Sequence, residues 1–340
     1  MSEIFKAAKL TDVARLAGVG NATASRALNG AARVSEDARL RILQAARELN
    51  YKPNRSAQAL KGGRSGMIGM IVPRMSDLFF ASCVEGVEIV ANRNASLLVV
   101  LATHDRSDTT TDGVKQLLHH NVDGLVLGIS EYLSAALVRS LKSLPVPSVG
   151  IDAPLTKAGL PSVLIDNCSN AQSATEHLIQ HGYGRIMSVQ VNPKLFTMQE
   201  RRRGYEEAMR QAGMEAMQHT ITDRAAAEAL LCAYRDTPGR YAFLAGNSTA
   251  AKYLTAAAKH LRMTMPEDFG MVSFDDFDLA DSLQAPLTVM DQPARRMGET
   301  AAKLLFRRMN GENVTASKQG ELETMLSAEL VVRRSCGCND

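Results

Sequence analysis

From Met67 onward, short apolar runs alternate with helical patterns: MIGMIVP, SLLVVLA, VDGLVLG and VPSVGID. Between them, helical periodicity runs from Phe79 to about Arg93, from near Gly113 to His120, and from near 134 to 144. Strands that are apolar on both faces, joined by helix-length crossovers, must lie parallel inside a covered sheet. A second series repeats the arrangement: SVLID, a helix from about Ser169 to His181, RIMSVQV, a helix from Glu200 to Gly213, YAFLAG, a helix from Ser248 to Leu261, then FGMVSFDD. Two such series predict an α/β core of two lobes, each a parallel sheet between helices, with a cleft between them. Ligands of open α/β sheets bind beyond the strand C-termini. That rule singles out Asp152 after VPSVGI, Asp166 after SVLI, Asn247 after YAFLAG, and Asp275 with Asp276 after MVSF. A strand-end Asp also has a purely structural use, as a cap for the following backbone.

The first 65 residues read differently. They carry twelve Lys/Arg against five Asp/Glu, a balance of +7, while the 340-residue chain carries +3, so the remainder is acidic by four charges. A basic front on an acidic body points to a polyanionic partner. Within it, LTDVARLAGVGNATASRALNG holds one helix from about Thr11 to Ala17, a stop at Gly18, and a second helix from about Asn21 to Leu28. Two short helices joined by a three-residue glycine turn describe a helix-turn-helix. Val13, Ala17, Val19, Ala24 and Leu28 form its inner face, and Asn21, Ala22, Ser25 and Arg26 share the outer face of the second helix. Asn and Arg are the side chains that read adenine and guanine edges in a major groove, and the hydroxyls of Thr23 and Ser25 suit phosphates. A third helix runs from Ser35 to about Leu49, with Leu40, Leu43, Ala46 and Leu49 as its expected buried stripe. Pro53 ends it, and NRSAQAL, residues 54 to 60, is a further helical stretch too short to be stable alone.

Several chemistries find no complete motif. Every apolar run stops short of the roughly 20 residues a bilayer requires. The start, MSEIFKAAKL, lacks the apolar segment of a secretory signal, which leads to the expectation of a cytoplasmic protein. Five dispersed cysteines fit free thiols. Cys336 and Cys338 form a C-x-C without a second ligand pair, and His177 and His181 are spaced i, i+4 without the Glu of H-E-x-x-H, so neither pair taken alone makes a metal site and none is expected. GNSTA at 246 to 250 approaches a nucleophile elbow but ends in Ala250, and the last histidine, His260, lies only in the next helix. GVGNAT imitates a dinucleotide turn with no strand before it. Neither an enzyme nor a cofactor is expected.

LTDVARLAGVGNATASRALNG, followed by VSEDARLRILQAARELNYKPNRSAQALKGGRSGMIGMIVP, resembles the N-terminal region of the lactose-repressor/galactose-repressor (LacI/GalR) family of bacterial transcription regulators. The resemblance continues in family order through VDGLVLG, IDNCSNAQSATEHLIQHGYGRI, RRRGYEEAM, VSFDDFD, LTVMDQP and LVVRRS. It implies an all-α helix-turn-helix head over residues 1–53, a hinge helix and linker over 54–65, and a core over 66–340 like a type I periplasmic-binding protein. The lobes would take about 66–164 with 293–326, and 165–291 with 327–340.

Such a protein would be a homodimeric DNA-binding regulator, in all expectation a repressor of a palindromic operator, controlled by a small effector and without a membrane association. The implied DNA-facing set is Leu10, Asn21, Ala22, Thr23, Ser25, Arg26, Asn29, Asn54, Arg55, Ala57, Gln58 and Leu60, with Leu60 the residue that wedges between base pairs in the minor groove. The implied effector set is Phe79, Asp152, Asp166, Thr197, Arg201, Asn247 and Asp275, with Arg202 and Arg203 left to solvent. Carboxylate, guanidinium and amide together match a polyol, which favours a sugar or sugar derivative. The sequence departs from the family at Gly20, where Ser is usual, at Ala24, where Val is usual, and in NSTAAKY, which lacks the usual Asp and Gly. It has no Trp, leaving Phe79, Phe80, Phe196 or Phe277 to stack on a ligand. The alternatives are a regulator of nucleosides or purines, and a solute receptor with no DNA-reading role.

Overall fold

The computed structural model describes residues 8–28, 34–51, 64–104, 107–129, 133–236, 238–312 and 322–338. The chain divides into two units, Met1–Gly66 and Met67–Asp340.

The first unit contains helices α1 (Leu10–Leu16), α2 (Asn21–Leu28) and α3 (Glu36–Glu48). Asp12 accepts from the Lys9 backbone N–H at 3.0 Å and so closes the start of α1, while Gly18, at φ +64°, turns the chain into α2. Arg41 donates from Nη1 to the Ala17 carbonyl at 3.1 Å, tying α3 to the end of α1. The core is made of Val13, Ala14, Ala17, Ala24, Ala27, Ile42 and Ala45. This corrects the expected stripe of α3. Leu40 is 61% exposed and Leu43 is 37% exposed, whereas Ala38, Ile42 and Ala45 face inward. Alanine-faced α1 and α2 come close enough that α3 presents small residues around a single Ile rather than a row of leucines.

The second unit holds two six-stranded sheets. The first runs β11 (Glu323–Leu326), β5 (Ser162–Ile165), β4 (Ser148–Ile151), β3 (Leu125–Gly128), β1 (Met67–Val72), β2 (Leu97–Ala102), parallel throughout. The second runs β12 (Glu329–Val331), β10 (Thr288–Asp291), β9 (Gly270–Phe274), β8 (Tyr241–Ala245), β6 (Arg185–Gln190), β7 (Met217–Thr220), with only β12 antiparallel.

Helices α4 (Leu78–Arg93), α5 (Ser107–His119), α6 (Ala135–Lys142) and α11 (Ala294–Met309) belong with the first sheet. α7 (Asn167–Gln180), α8 (Phe196–Gln211), α9 (Arg224–Arg235) and α10 (Ser248–Leu261) belong with the second. The chain therefore passes between sheets three times, after β5, after β10 and after β11.

Three expectations change. Ser162–Ile165, grouped by pattern with the second series, pairs with β4 in the first sheet. β7 and α9 are absent from the expected series, because MQHT at the sheet edge alternates half-buried with exposed residues instead of forming an apolar run. The helix expected from Gly113 begins at Ser107, since a run of threonines and a Gly do not prevent a helix that packs on β1 and β2.

Candidate functional site

On α2, Asn21, Ala22 and Arg26 are exposed and Thr23 and Ser25 half-buried, while Ala24 and Ala27 face the core. The outer face therefore carries the expected polar set, with the Arg26 Nε donating back to the Ala22 carbonyl at 3.2 Å. Gly20 supplies the first acceptor of the helix, its carbonyl taking the N–H of Thr23 at 2.9 Å and of Ala24 at 3.0 Å, but it has no side chain to cap the remaining donors. Leu10 opens α1 and is half-buried. Asn29, Asn54, Arg55, Ala57, Gln58 and Leu60 lie outside the described residues.

Between the two sheets is a cleft of about 440 Å³. Its walls come from strand ends of both lobes: Asp77 and Phe79 beyond β1, Asp152 beyond β4, Asn192 beyond β6, Asn247 beyond β8, Asp275 beyond β9 and Gln292 beyond β10. Thr197 and Arg201 enter from α8, and Lys252 and Tyr253 from α10. A second recess of about 510 Å³ shares Leu78, Phe79, Asp275 and Gln292 with it and is rich in acids, with Asp276, Asp278, Asp281 and Asp291 beside Arg333. Arg333 there is paired with Asp276.

Arg201 is the fixed point of the cleft. It is 4% exposed, donates from Nε to the Asn167 Oδ1 at 2.7 Å and from Nη1 to the Gly246 carbonyl at 2.6 Å, and lies 4.0 Å above the Phe274 ring. Burial lowers the affinity of its guanidinium for its proton, and Asp275, Asp152 and Asp77 raise it. The same charges act in reverse on the acids. Burial pushes the Asp152 carboxyl up to about 7, against the opposing pull of Arg201 and with a further push from Asp275 and Asp77. Asp77 is also raised, by burial and then by Asp275, although the Phe79 N–H bonds it at 3.1 Å as the cap of α4. Three acids thus share one buried cation, and Asp152 near neutrality can donate or accept.

Asp152 at φ +73° and Asp275 at φ +66° both hold the left-handed conformation, which costs a non-glycine residue energy that the surrounding fold must supply. Asp275 accepts from the Gln292 side-chain amide and, at 3.5 Å, from the Ser248 N–H. The Gln292 side-chain carbonyl beside it is buried with no hydrogen-bond partner among the described residues.

Of the expected effector residues, Phe79, Asp152, Thr197, Arg201, Asn247 and Asp275 line this cleft. Asp166 does not. It caps α7, accepting from the Ser169 N–H at 2.9 Å and its hydroxyl at 2.7 Å, and those bonds hold its carboxyl below the usual range. Asn247 combines both uses, since its side chain caps α10 through the Ala250 N–H at 2.9 Å. Arg202 and Arg203 are exposed and pair with Glu206 and Glu200. Among the aromatics, Phe79 and Phe80 line the cleft, Phe277 lines the second recess, and Phe196 lines neither. Asp77, Asn192, Gln292, Lys252 and Tyr253 are among the lining residues that the sequence did not single out. Gln292 could have been found, because it directly follows a strand within the quoted LTVMDQP.

One further group departs from expectation. His177, His181, Cys336 and Cys338, two incomplete pairs in the sequence, bring their four ligand atoms within 4.8 Å of one another.

Residues 9–54 match the family model "Bacterial regulatory proteins, lacI family", and residues 175–336 match "Periplasmic binding protein-like domain". The HTH-type transcriptional repressor PurR of Photobacterium profundum is 30% identical over 340 residues, covering 96% of this chain and 98% of its own. The crystal structure of the Lac repressor dimer bound to operator and the anti-inducer ONPF has the same fold, with a TM-score of 0.82 at 23% identity over 97% of this chain and 99% of that one. A complex of the transcriptional regulator CelR with cellobiose aligns with a TM-score of 0.68 at 27% identity over 96% and 99%. Among the described residues no helix is long and apolar enough to cross a membrane. A helix-turn-helix unit, a two-lobed parallel core and a 30% identical repressor matched nearly end to end agree: the chain belongs to the lacI family of bacterial regulatory proteins, which are DNA-binding transcription regulators.

Proposed function

We propose that this chain is a homodimeric repressor that reads a pseudo-palindromic operator with the outer face of α2 and releases or tightens on it when a small effector fills the cleft. Residues 1–53 serve as the reading head, 54–65 as the hinge and 66–340 as the sensing core, in the division the family resemblance implies. The observation that carries the reading is the cleft itself: Asp77 and Asp152 from one lobe face Arg201 and Asp275 from the other. A ligand bonded to both sets favours one angle between the lobes, and it shifts operator affinity by its difference in affinity for the two states. The protein is a binding module and not an enzyme. Ser248 of the near-elbow is 9% exposed at a helix start, and His260 is paired with Glu228 at 3.1 Å instead of reaching it.

The effector is a sugar or sugar derivative. Carboxylates, one guanidinium and side-chain amides on opposite walls satisfy a ring of hydroxyls, and the cellobiose complex of the similar CelR supports the class. A nucleoside is the second reading, favoured by Phe79 and Tyr253 in the same cleft, which offer a base two aromatic faces.

Selection from random duplexes followed by anisotropy titration tests the first claim. Salt-sensitive, sequence-selective binding that Asn21→Ala with Arg26→Ala reduces to nonspecific strength is the expected result. No duplex binding would leave only a solute receptor. A thermal-shift screen of sugars, sugar acids, nucleosides and purines tests the second. A sugar hit lost in Asp275→Asn supports the class, and a nucleoside hit lost in Tyr253→Ala reverses it.

A further inference from the structure

We propose that His177, His181, Cys336 and Cys338 are the four ligands of a closed zinc site that fastens the C-terminal tail to the end of α7. Each pair is the half the other lacks, and 157 residues separate His181 from Cys338 in the chain. Cys338 Sγ lies 3.0 Å from His181 Nε2, 3.8 Å from His177 Nε2 and 3.3 Å from Cys336 Sγ. A tetrahedral zinc with bonds of about 2.3 Å to sulfur and about 2.0 Å to nitrogen sets its ligand atoms about 3.3–3.8 Å apart. These three separations lie within about 0.5 Å of those values, and no pair among the four atoms exceeds 4.8 Å, so side-chain rotations of up to about an ångström would close the set around the ion.

The ligands are held in place from both sides. At the C-terminal end of α7 the i, i+4 spacing of His177 and the capping His181 puts both imidazoles on one face, with ring centroids 4.7 Å apart. The tail is anchored by Ser335, whose hydroxyl donates to the Met271 carbonyl at 2.7 Å and accepts from the Thr288 N–H at 2.8 Å. Cys336 is fully buried and accepts from the Thr288 hydroxyl at 3.1 Å. Gly337, at φ +91°, turns the chain so that Cys338 returns to the same side as Cys336, and a Cβ there would stand 3.2 Å from the Arg240 guanidinium. Arg240 in turn donates to the His181 carbonyl at 2.8 Å.

The chemistry of the donor set selects the metal. Two thiolates and two neutral imidazoles in tetrahedral array fit zinc, and with four protein ligands no position is left for substrate, so the role is structural. Two thiolates also cancel the charge of the divalent ion. The site is separate from the cleft. Asn167, which holds Arg201, opens the same helix ten residues before His177, about 15 Å along its axis. The ion would staple α7, the start of β10 and the tail into one frame without touching the effector.

The test uses the full-length chain, stripped with a chelator under reducing conditions and titrated with cobalt(II). One equivalent per chain, tetrahedral ligand-field bands and a thiolate charge-transfer band are expected, all displaced by zinc. Cys338→Ser and His181→Gln should each weaken binding by about tenfold or more, while Cys232→Ser, at an exposed cysteine elsewhere, leaves the spectrum unchanged. Failure of the unsubstituted chain to bind cobalt, an octahedral spectrum without charge transfer, or a spectrum undiminished in both ligand variants would overturn the proposal. So would a Cys336–Cys338 disulfide in protein isolated anaerobically with reductant.

Discussion

The two lobes are built on the same device and wired differently. In the first, α4 and α11 touch so closely that a Cβ at Gly298 would stand 2.0 Å from the Cys83 carbonyl oxygen, and one at Gly86 2.1 Å from that of Arg295. In the second, α7 and α8 meet with Gly204 so near the Cys168 carbonyl that a Cβ would stand 1.9 Å away. The first pair joins segments far apart in the chain and buries apolar surface around Val87, Met297 and Ala301. The second joins neighbours, and it also carries a buried charge, because Arg201 of α8 lines the cleft and is bonded behind it to the buried Asn167 of α7. Both lobes line the cleft, and in the second the close helix contact is joined to it through the buried Arg201.

The largest effect should come from cutting that coupling. Arg201→Met strands Asn167, the Gly246 carbonyl and the charges of Asp152 and Asp275, and a buried ion that loses its partner costs about 3–5 kcal/mol. Urea unfolding should show a loss in this range together with loss of effector response. A loss under about 1 kcal/mol would mean that water already solvates the group. Next come the helix contacts themselves. Alanine normally gains about 1 kcal/mol over glycine inside a helix, but Gly204→Ala and Gly298→Ala should each reverse that sign and cost about 3 kcal/mol, since backbone meets the new methyl. If the lobes differ as described, Gly204→Ala also weakens effector binding, and Gly298→Ala leaves it unchanged in the folded fraction.

A smaller, pH-dependent effect belongs to the buried acids, above all Asp152 of the first lobe. The Asp152 carboxyl titrates at about 7 when folded and at 3.8 in its ordinary state, so between those values the folded protein holds a proton that the unfolded chain has released. Stability therefore falls as pH rises through this window, by about 1.4 kcal/mol per unit at most, and levels off above it. Asp152→Asn should flatten the slope, so that the variant gains on the parent by about 2.5 kcal/mol between pH 5 and pH 7.5. A residual slope of the same sign is expected from Asp77 and Asp291, both raised chiefly by burial. Parallel curves for the two proteins would place the Asp152 carboxyl in water.

What could be read in advance follows the same division between local and distant. The strand-end rule found Asp152, Asn247 and Asp275, because the positions depend only on where an apolar run stops. It also proposed Asp166, whose strand ends at the crossing between lobes and not at the cleft, a fact of sheet order that no window of sequence contains. Lys252 and Tyr253 are hidden one helical turn inside α10, and each half of the His–Cys cluster looks incomplete because its partner lies some 157 residues away in the chain. On α3, hydrophobicity chose the leucines, whereas the buried face was chosen by size.

The smallest effect turns on a glycine of the opposite kind. At Gly20 an added Cβ would meet nothing within 4 Å, and the backbone does not take a left-handed angle, so neither the crowding of Gly204 nor the turn of Gly18 explains it. Its carbonyl already opens α2, and the only thing missing is a side-chain oxygen for the free N–H groups of the first turn. Gly20→Ser should therefore stabilise the head by a few tenths of a kcal/mol, visible as a small rise in helix content or melting temperature of the full chain. Because Asn21 and Arg26 stand on the helix being capped, operator affinity should rise by about twofold at most, and equally for cognate and mismatched sites. A gain confined to the cognate site would show instead that the serine hydroxyl touches a base, and the head's outer face would then begin one residue earlier than Asn21.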